Sequence, residues 1–331
     1  MENTNVIKAA KSRNRNLNPL ILFLFAVLAF YTFMFTFTLV WGFVTSLKTE
    51  YQFTQLKQYL ELPRYDLLPA HSDPKSPLYF PHPFANYVKV LEKMPGKNQY
   101  RYYAGWNLDE LLPKQQYNNT VPVMLYNTIM YALVGSVIVS IVPAVVGYLC
   151  ATYKYKFSEL CYTITLFVMV MPITGTATAR IRLMCRLKIF DSVYGNWITC
   201  LGFTNIYFLM FLAFFQGMSG TFAEAAEVDG ASQFRILWQI MLPLAAKMML
   251  TIILIYFIAR WNDTGTFLIY MPNKWSISYR VFMLTTLNTN VVPGSTAKIA
   301  ACFFIAIPMI LLFIIFKDKI MGNLSMGGVK E

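Results

Sequence analysis

Along this chain, long stretches without a charged side chain alternate with short polar ones. The first such stretch covers residues 16–47. It exceeds the roughly 20 apolar residues that cross a hydrocarbon core of about 30 Å as a helix. No small-residue cleavage site follows. The stretch is therefore expected to stay as a first transmembrane helix, residues 18–46, and not to leave as a signal peptide. Further uncharged runs cover residues 115–153, 160–179, 192–223 and 299–316. One more apolar run, 244–262, carries Lys247 near one end, where a long basic side chain can snorkel to the interface. One helix per run predicts an all-α integral membrane protein with six transmembrane helices. Met171, Pro172 and Gly175 are expected to kink or loosen the second half of the third.

The polar segments between these runs set the orientation. Lys8, Lys11, Arg13 and Arg15 lie in a polar tail, residues 1–17, and place it in the cytoplasm. Six crossings return the tail 317–331 to the same side. The wider tally of basic residues is mixed, 11 inside against eight in the short outer segments, so the N-terminal tail decides. The segment 47–120 falls outside the cell. It holds Pro63, Pro69, Pro74, Pro77, Pro81 and Pro83, a helical stretch from Phe84 to Leu91, and the aromatic group Tyr100, Tyr102, Tyr103 and Trp106. Those aromatics suit a protein-docking face and a membrane interface equally. The rest, 121–316, is a membrane core of five helices with a polar loop at 219–243.

Composition agrees. Of 331 residues, 56% are hydrophobic and 13% charged, against about 25% charged in soluble domains. The net charge of +12 is scattered between apolar runs and forms no stripe, so it flanks membrane and does not point to nucleic acid. Cys150, Cys161, Cys185, Cys200 and Cys302 stand singly, with no CxxC pair to suggest a metal site or a disulfide framework. His71 and His82 lie together in the outer loop and read as solvated. Two histidines in one loop do not supply the cluster that a membrane-bound enzyme needs at one face, and no catalytic or metal-binding residue is expected.

The loop is where chemistry concentrates. Thr221 with Glu224 three residues on reads as a capping box and starts a short helix. Glu224 and Glu227 fall near that start, where acidic groups favour the helix dipole. Gly230 suits the left-handed turn that ends a helix, and Pro243 permits a bend as the chain re-enters an apolar run. The spacing of Glu224, Ala225, Ala226, Gly230, Ile240, Leu242 and Pro243 resembles the EAA loop of ABC importer permeases. In that family the loop is a coupling helix docked in a cleft of the ATPase subunit. Asp229 and Glu224 would accept hydrogen bonds from the ATPase, and Ala226 and Gly230 would permit its close approach.

Other stretches resemble the MalG-like permease of maltose-type carbohydrate importers. They are Ser46-Leu47-Lys48, Asn86-Tyr87, Asn127-Thr128, Tyr148 to Ala151, Met171-Pro172, Trp261-Asn262-Asp263 and the ending Gly327-Gly328-Val329-Lys330. Gly327, Gly328 and Lys330 would belong to a tail that reaches toward the ATPase dimer. The chain departs from that pattern at Ser219-Gly220-Thr221, at Ala245-Ala246-Lys247, in the length of the outer segment, in the basic run 180–188 and at Glu331. The resemblance implies a type I ABC importer permease in a prokaryotic plasma membrane. It would form a heterodimer with a second permease, with two ATPase subunits inside and a solute-binding protein outside. Lipid surrounds it, and the solute is a sugar, an oligosaccharide by the branch. No phosphate-binding loop Gly-x-x-x-x-Gly-Lys-Ser/Thr occurs, so ATP and Mg would sit on the partner ATPases and this chain would hold no cofactor.

Two outer clusters carry open readings. Arg180, Arg182, Arg186 and Lys188 alternate with apolar residues. They describe an interfacial amphipathic helix, or, at Arg182 and Arg186, a contact with an acidic sugar or with an acidic face of a partner such as the binding protein. Arg260, Asn262 and Asp263 close the fifth span as an interfacial anchor or as pathway residues, and Arg260 can pair with Asp263 three positions on. The rival class is a secondary transporter or channel. Ion coupling there calls for intramembrane carboxylates, which the runs lack, and no inverted repeat is visible.

Overall fold

The computed structural model describes residues 19–63, 83–97, 118–153, 155–171, 175–218, 221–287 and 294–324. The N-tail, His71, His82, the aromatic group 100–106, and Gly327, Gly328 and Lys330 of the C-tail lie outside these residues. The described chain is helical apart from one antiparallel ladder, Gly96–Lys97 against Asn118–Asn119. It forms two compact units. One takes the residues up to Asn86 with Gly294–Ala300, the other Tyr87–Pro293 with the residues from Ala301 on.

In the first unit, helix Pro19–Ser46 is apolar all round and its side chains are exposed as far as Val40. An unbroken apolar surface of this length is what lipid contact requires. Past its end, Thr49 and Gln52 form a reciprocal capping box that starts helix Glu50–Thr54. Asn86 Nδ2 donates to the carbonyls of Ser46 and Lys48 at 2.7 and 2.8 Å. Two stretches that stand 40 residues apart in sequence therefore meet. The Glu50 carboxylate accepts from Thr296 N–H at 3.0 Å, at the N-terminus of helix Ser295–Leu324, where negative charge is favoured.

The second unit is built on the continuous helical run Val121–Thr152, which packs against helices Ile206–Gln216 and Ala246–Trp261. A wider i to i+5 turn, Met130–Val134, lies within it, as does Pro143. At Gly147 the approach of Ile206–Gln216 is close: an added Cβ would stand 2.9 Å from Phe211 Cβ and 3.1 Å from Leu212 N. Ser140 Oγ donates to Met249 O at 3.0 Å, and Trp261 Nε1 to Ile305 O at 3.3 Å, so polar atoms tie helix to helix inside the apolar core.

Among the described residues, three helices are long and apolar enough to cross a membrane: Pro19–Ser46, Val121–Thr152 and Ser295–Phe316. The pair Gln233–Leu244 and Ala246–Trp261, bent by 68°, makes a fourth if counted as one span. The bend falls at Ala245, two residues beyond Pro243. Pro243 sits inside a short turn that follows another i to i+5 segment, Leu237–Met241; a proline here removes a backbone donor, and Leu242 N–H reaches back to Leu237 O. The run 160–179 is not one helix. Its helix is Lys156–Val170, and Gly175, with φ +77, opens a separate helix, Thr176–Arg186. The run 192–223 is likewise divided, because Ser192 caps Val193–Thr199 and Asn205 caps Ile206–Gln216.

Candidate coupling loop and polar cleft

The acidic loop forms helix Thr221–Val228. The side chains of Thr221 and Glu224 lie outside the described residues, and with them the capping box. The other end is fully described. Gly230 has φ +77, Gly230 N–H donates to Glu227 O at 2.9 Å and Ala231 N–H to Ala226 O at 2.9 Å. This is the paired 5→2 and 6→1 bonding of a Schellman terminus, and it satisfies carbonyls that a helix end otherwise leaves open.

The loop's residues divide between two faces. Ala225, Glu227, Val228, Asp229 and Gly230 are exposed, as is Pro243. Ala226 and Leu242 are buried in one apolar cluster with Tyr148, Phe215 and Ile236. The small side chain of Ala226 lets the helix lie close on this chain's own core. Leu242 is part of the same core. A polar bridge holds the exposed face. Tyr153 OH donates to Gln233 Oε1 at 2.9 Å, and Gln233 Nε2 donates to Glu227 Oε1 at 2.5 Å. Sequence reasoning missed Tyr153 and Gln233, which are 80 residues apart and carry no local signal. It also passed over Val228, which is 88% exposed between Glu227 and Asp229.

At the other end of helix Ala246–Trp261 lies a cleft of about 290 Å³, lined by Tyr131, Arg180, Asn196, Thr199, Tyr256, Arg260 and Asp263 among others. The expected Arg260–Asp263 pair is not formed. Asp263 lies past the helix end, where its Oδ2 accepts from Tyr131 OH at 2.6 Å and its Oδ1 from Thr266 N–H at 3.0 Å. The Arg260 guanidinium turns instead over the Tyr131 ring, 5.0 Å from its centroid, and donates to Cys200 Sγ at 2.9 Å. Arg180 lies 4.4 Å above the Tyr270 ring and donates to Thr199 Oγ1 and, at 3.4 Å, to Asn196 Oδ1. Asn262 is exposed and caps its own helix through Ile258 O at 3.0 Å. Arg182 and Arg186 are exposed on the opposite side of helix Thr176–Arg186, along a groove with Gly175, Thr178 and Ala179. Arg280, counted among the outer basic residues, is buried; it donates to the carbonyls of Met94 and Lys93 at 2.7 and 2.8 Å, the end of helix Ala85–Lys93. Tyr131 lay inside an uncharged run, which hid its hydroxyl's place in the cleft.

Comparison with known proteins places this architecture. The profile of the family described as "Binding-protein-dependent transport system inner membrane component" matches residues 143–321. The chain belongs to this family. It is thus a multi-pass membrane component of a binding-protein-dependent transport system. It is similar to the trehalose transport system permease protein SugB of Mycobacterium tuberculosis (strain CDC 1551 / Oshkosh), 27% identical over 210 residues, 62% of this chain and 76% of that one. The arabinooligosaccharides transport system permease protein AraQ of Bacillus subtilis (strain 168) is 22% identical over 205 residues, 62% and 72%. The sn-glycerol-3-phosphate transport system permease protein UgpE of Yersinia enterocolitica serotype O:8 / biotype 1B (strain NCTC 13174 / 8081) is 28% identical over 151 residues, 44% and 52%. The fold matches a chain in the crystal structure of a bacterial ABC transporter involved in the import of the acidic polysaccharide alginate, with a TM-score of 0.62 and 20% identity over 92% of this chain and 98% of that one.

Proposed function

We propose that this chain is one of two permease subunits of an ATP-driven importer, and that the solute is a carbohydrate handed over by an extracytoplasmic binding protein. Family membership over residues 143–321 carries this reading. The relatives support the solute class, since by their names they serve trehalose, arabinooligosaccharides and sn-glycerol-3-phosphate, and the structural neighbour serves alginate. In this reading six spans place both termini in the cytoplasm. Helix Thr221–Val228 with its Gly230 terminus is the coupling helix, with Glu224, Ala225, Asp229 and Pro243 near the ATPase. Gly327, Gly328 and Lys330 reach toward the ATPase dimer. Two ATPase subunits hold ATP and Mg and perform hydrolysis; closure of their dimer moves the coupling helix, and the spans switch between inward- and outward-open states as rigid bodies.

The test is import into proteoliposomes by the complete complex, with ATP inside and a panel of neutral and acidic oligosaccharides offered on the loaded binding protein. Uptake that requires ATP, the binding protein and the ATPase subunits supports the importer. Uptake by this chain without them, driven by an ion gradient, overturns it.

A further inference from the structure

We infer that the cleft between Arg180 and Arg260 binds an oxyanion, a carboxylate or a phosphate, carried by the transported sugar. This rests on the importer reading above and adds a subsite to it. The charge balance in the cleft is the starting point. Two guanidinium groups and one carboxylate line it. Both oxygens of that carboxylate are engaged elsewhere, by Tyr131 OH and Thr266 N–H. Among the described residues neither arginine meets a carboxylate, and the Nε atoms of both are buried without a hydrogen-bond acceptor. Arg260 spends a guanidinium donor on a thiol sulfur, a weak acceptor, and an oxyanion entering the cleft offers both arginines a stronger, charge-assisted partner. Arginine suits this task because its planar fork meets two oxygens of a carboxylate or phosphate at once.

The walls match a sugar. Asn196, Thr199 and Tyr256 bring an amide and two hydroxyl groups to the lining. The Tyr131 and Tyr270 rings lie under the guanidinium groups of Arg260 and Arg180, so both arginines are set in place before a ligand arrives. The volume, about 290 Å³, falls just below the range of drug-sized ligand pockets, which run from about 300 to 1,000 Å³. It admits a single sugar unit of a longer chain. Helical geometry separates Arg180 from the other arginines of its helix: two residues on is about 200° round the axis. Arg180 therefore enters the cleft while Arg182 and Arg186 line another groove. Gly135 completes the site from the facing helix, since a Cβ there would lie 2.8 Å from Arg260 Nη1.

Calorimetric titration of the complete complex in nanodiscs tests this, with digalacturonate and glucose 1-phosphate as anionic probes and galactobiose as the neutral reference. The wild type is expected to bind at least one anionic probe about tenfold or more tightly than galactobiose, with affinity falling as salt rises. Which probe binds tells carboxylate from phosphate. Arg260→Gln and Arg180→Gln should each remove that preference. Gly135→Ala keeps every charge and only displaces the guanidinium, so it should weaken the anionic probe even if an arginine variant fails to assemble. The inference is overturned if neither anion is preferred, or if Arg182→Gln with Arg186→Gln abolishes the preference and Arg260→Gln does not. ATP hydrolysis in the same preparation separates the two readings. A complex that retains active ATPase subunits but shows no anion preference rejects the cleft alone. A preparation from which no ATPase co-purifies rejects the importer, while the titration still judges the cleft.

Discussion

Asp191 shows how a single side chain sets a pH dependence. It lies in a left-handed turn with φ +54, buried, with its carboxylate accepting from Asn273 N–H at 3.1 Å. Burial pushes its pKa up to about 6, against hydrogen bonds from Asn273 and the charge of Lys274, which pull it down. The folded state therefore holds this proton more tightly than the unfolded chain, whose aspartate titrates near 3.9. The stabilising contribution is complete below about pH 4, fades as pH rises to about 6, and is absent above. A two-unit shift corresponds to about 2–3 kcal/mol at most. Asp191→Asn keeps an oxygen for Asn273 N–H and removes the charge, so it should melt higher than wild type at pH 7 and flatten the profile between pH 4 and 6. An unchanged slope in melting curves of the purified protein would sink this account. Gly147 makes a second residue-scale case. The atoms a Cβ would meet, Phe211 Cβ and Leu212 N, belong to or adjoin the facing backbone and cannot swing aside. Gly147→Ala should destabilise by about 1–3 kcal/mol through overpacking, read as a lower melting temperature, whereas a neutral substitution would show that the helices part freely.

At the scale of elements, Gly230 ends the loop helix in a conformation that costs an ordinary L-residue about 1 kcal/mol. Nothing stands within 4 Å of an added Cβ there, so Gly230→Ala carries backbone strain alone. Its expected effect is faster amide exchange at Gly230 and Ala231, with the core helices unchanged; equal protection in both proteins would show that the left-handed turn bears no strain. This terminus was legible in the sequence because glycine, helix length and acidic start are all local signals. What the loop packs on was not. Ala226 reads as a small residue that permits close approach, and the fold packs it onto Tyr148, Phe215 and Ile236, which come from three other segments. Run length also misled. The uncharged stretch 160–179 has the composition of one span, yet its helix stops at Val170 and Gly175, with φ +77, opens another; Met171 and Gly175 marked the place in the sequence, but as a kink and not as the end of a helix. The cleft was half legible. Arg260 and Asp263 stood out as charges at a span's end, but their mutual pairing was inferred from spacing on a helix that ends before Asp263. Tyr131 drew the carboxylate away from 132 positions upstream.

For the whole molecule, the decisive surface is the tip of the loop helix. Val228 is 88% exposed, with Glu227 and Asp229 on either side. An apolar side chain between two exposed carboxylates is not lipid-facing, because those charges would have to enter hydrocarbon with it. Phe234, 72% exposed, and Trp238, with ring centroids 6.0 Å apart, are further exposed apolar side chains of the loop, four residues apart on one helix face. An exposed apolar patch rimmed by charge marks a protein interface, and in the importer reading its occupant is the ATPase subunit. Val228→Glu tests that occupant. It removes no buried contact, so stability should stay within about 0.5 kcal/mol of wild type. Placed in a desolvated interface, the same carboxylate is costly. ATP hydrolysis stimulated by the loaded binding protein should therefore fall with the melting temperature unchanged, and co-purification of the ATPase should weaken. Full stimulation in the Val228→Glu complex would move the docking face elsewhere on the chain, whereas loss of stimulation with a lowered melting temperature would assign Val228 to the fold.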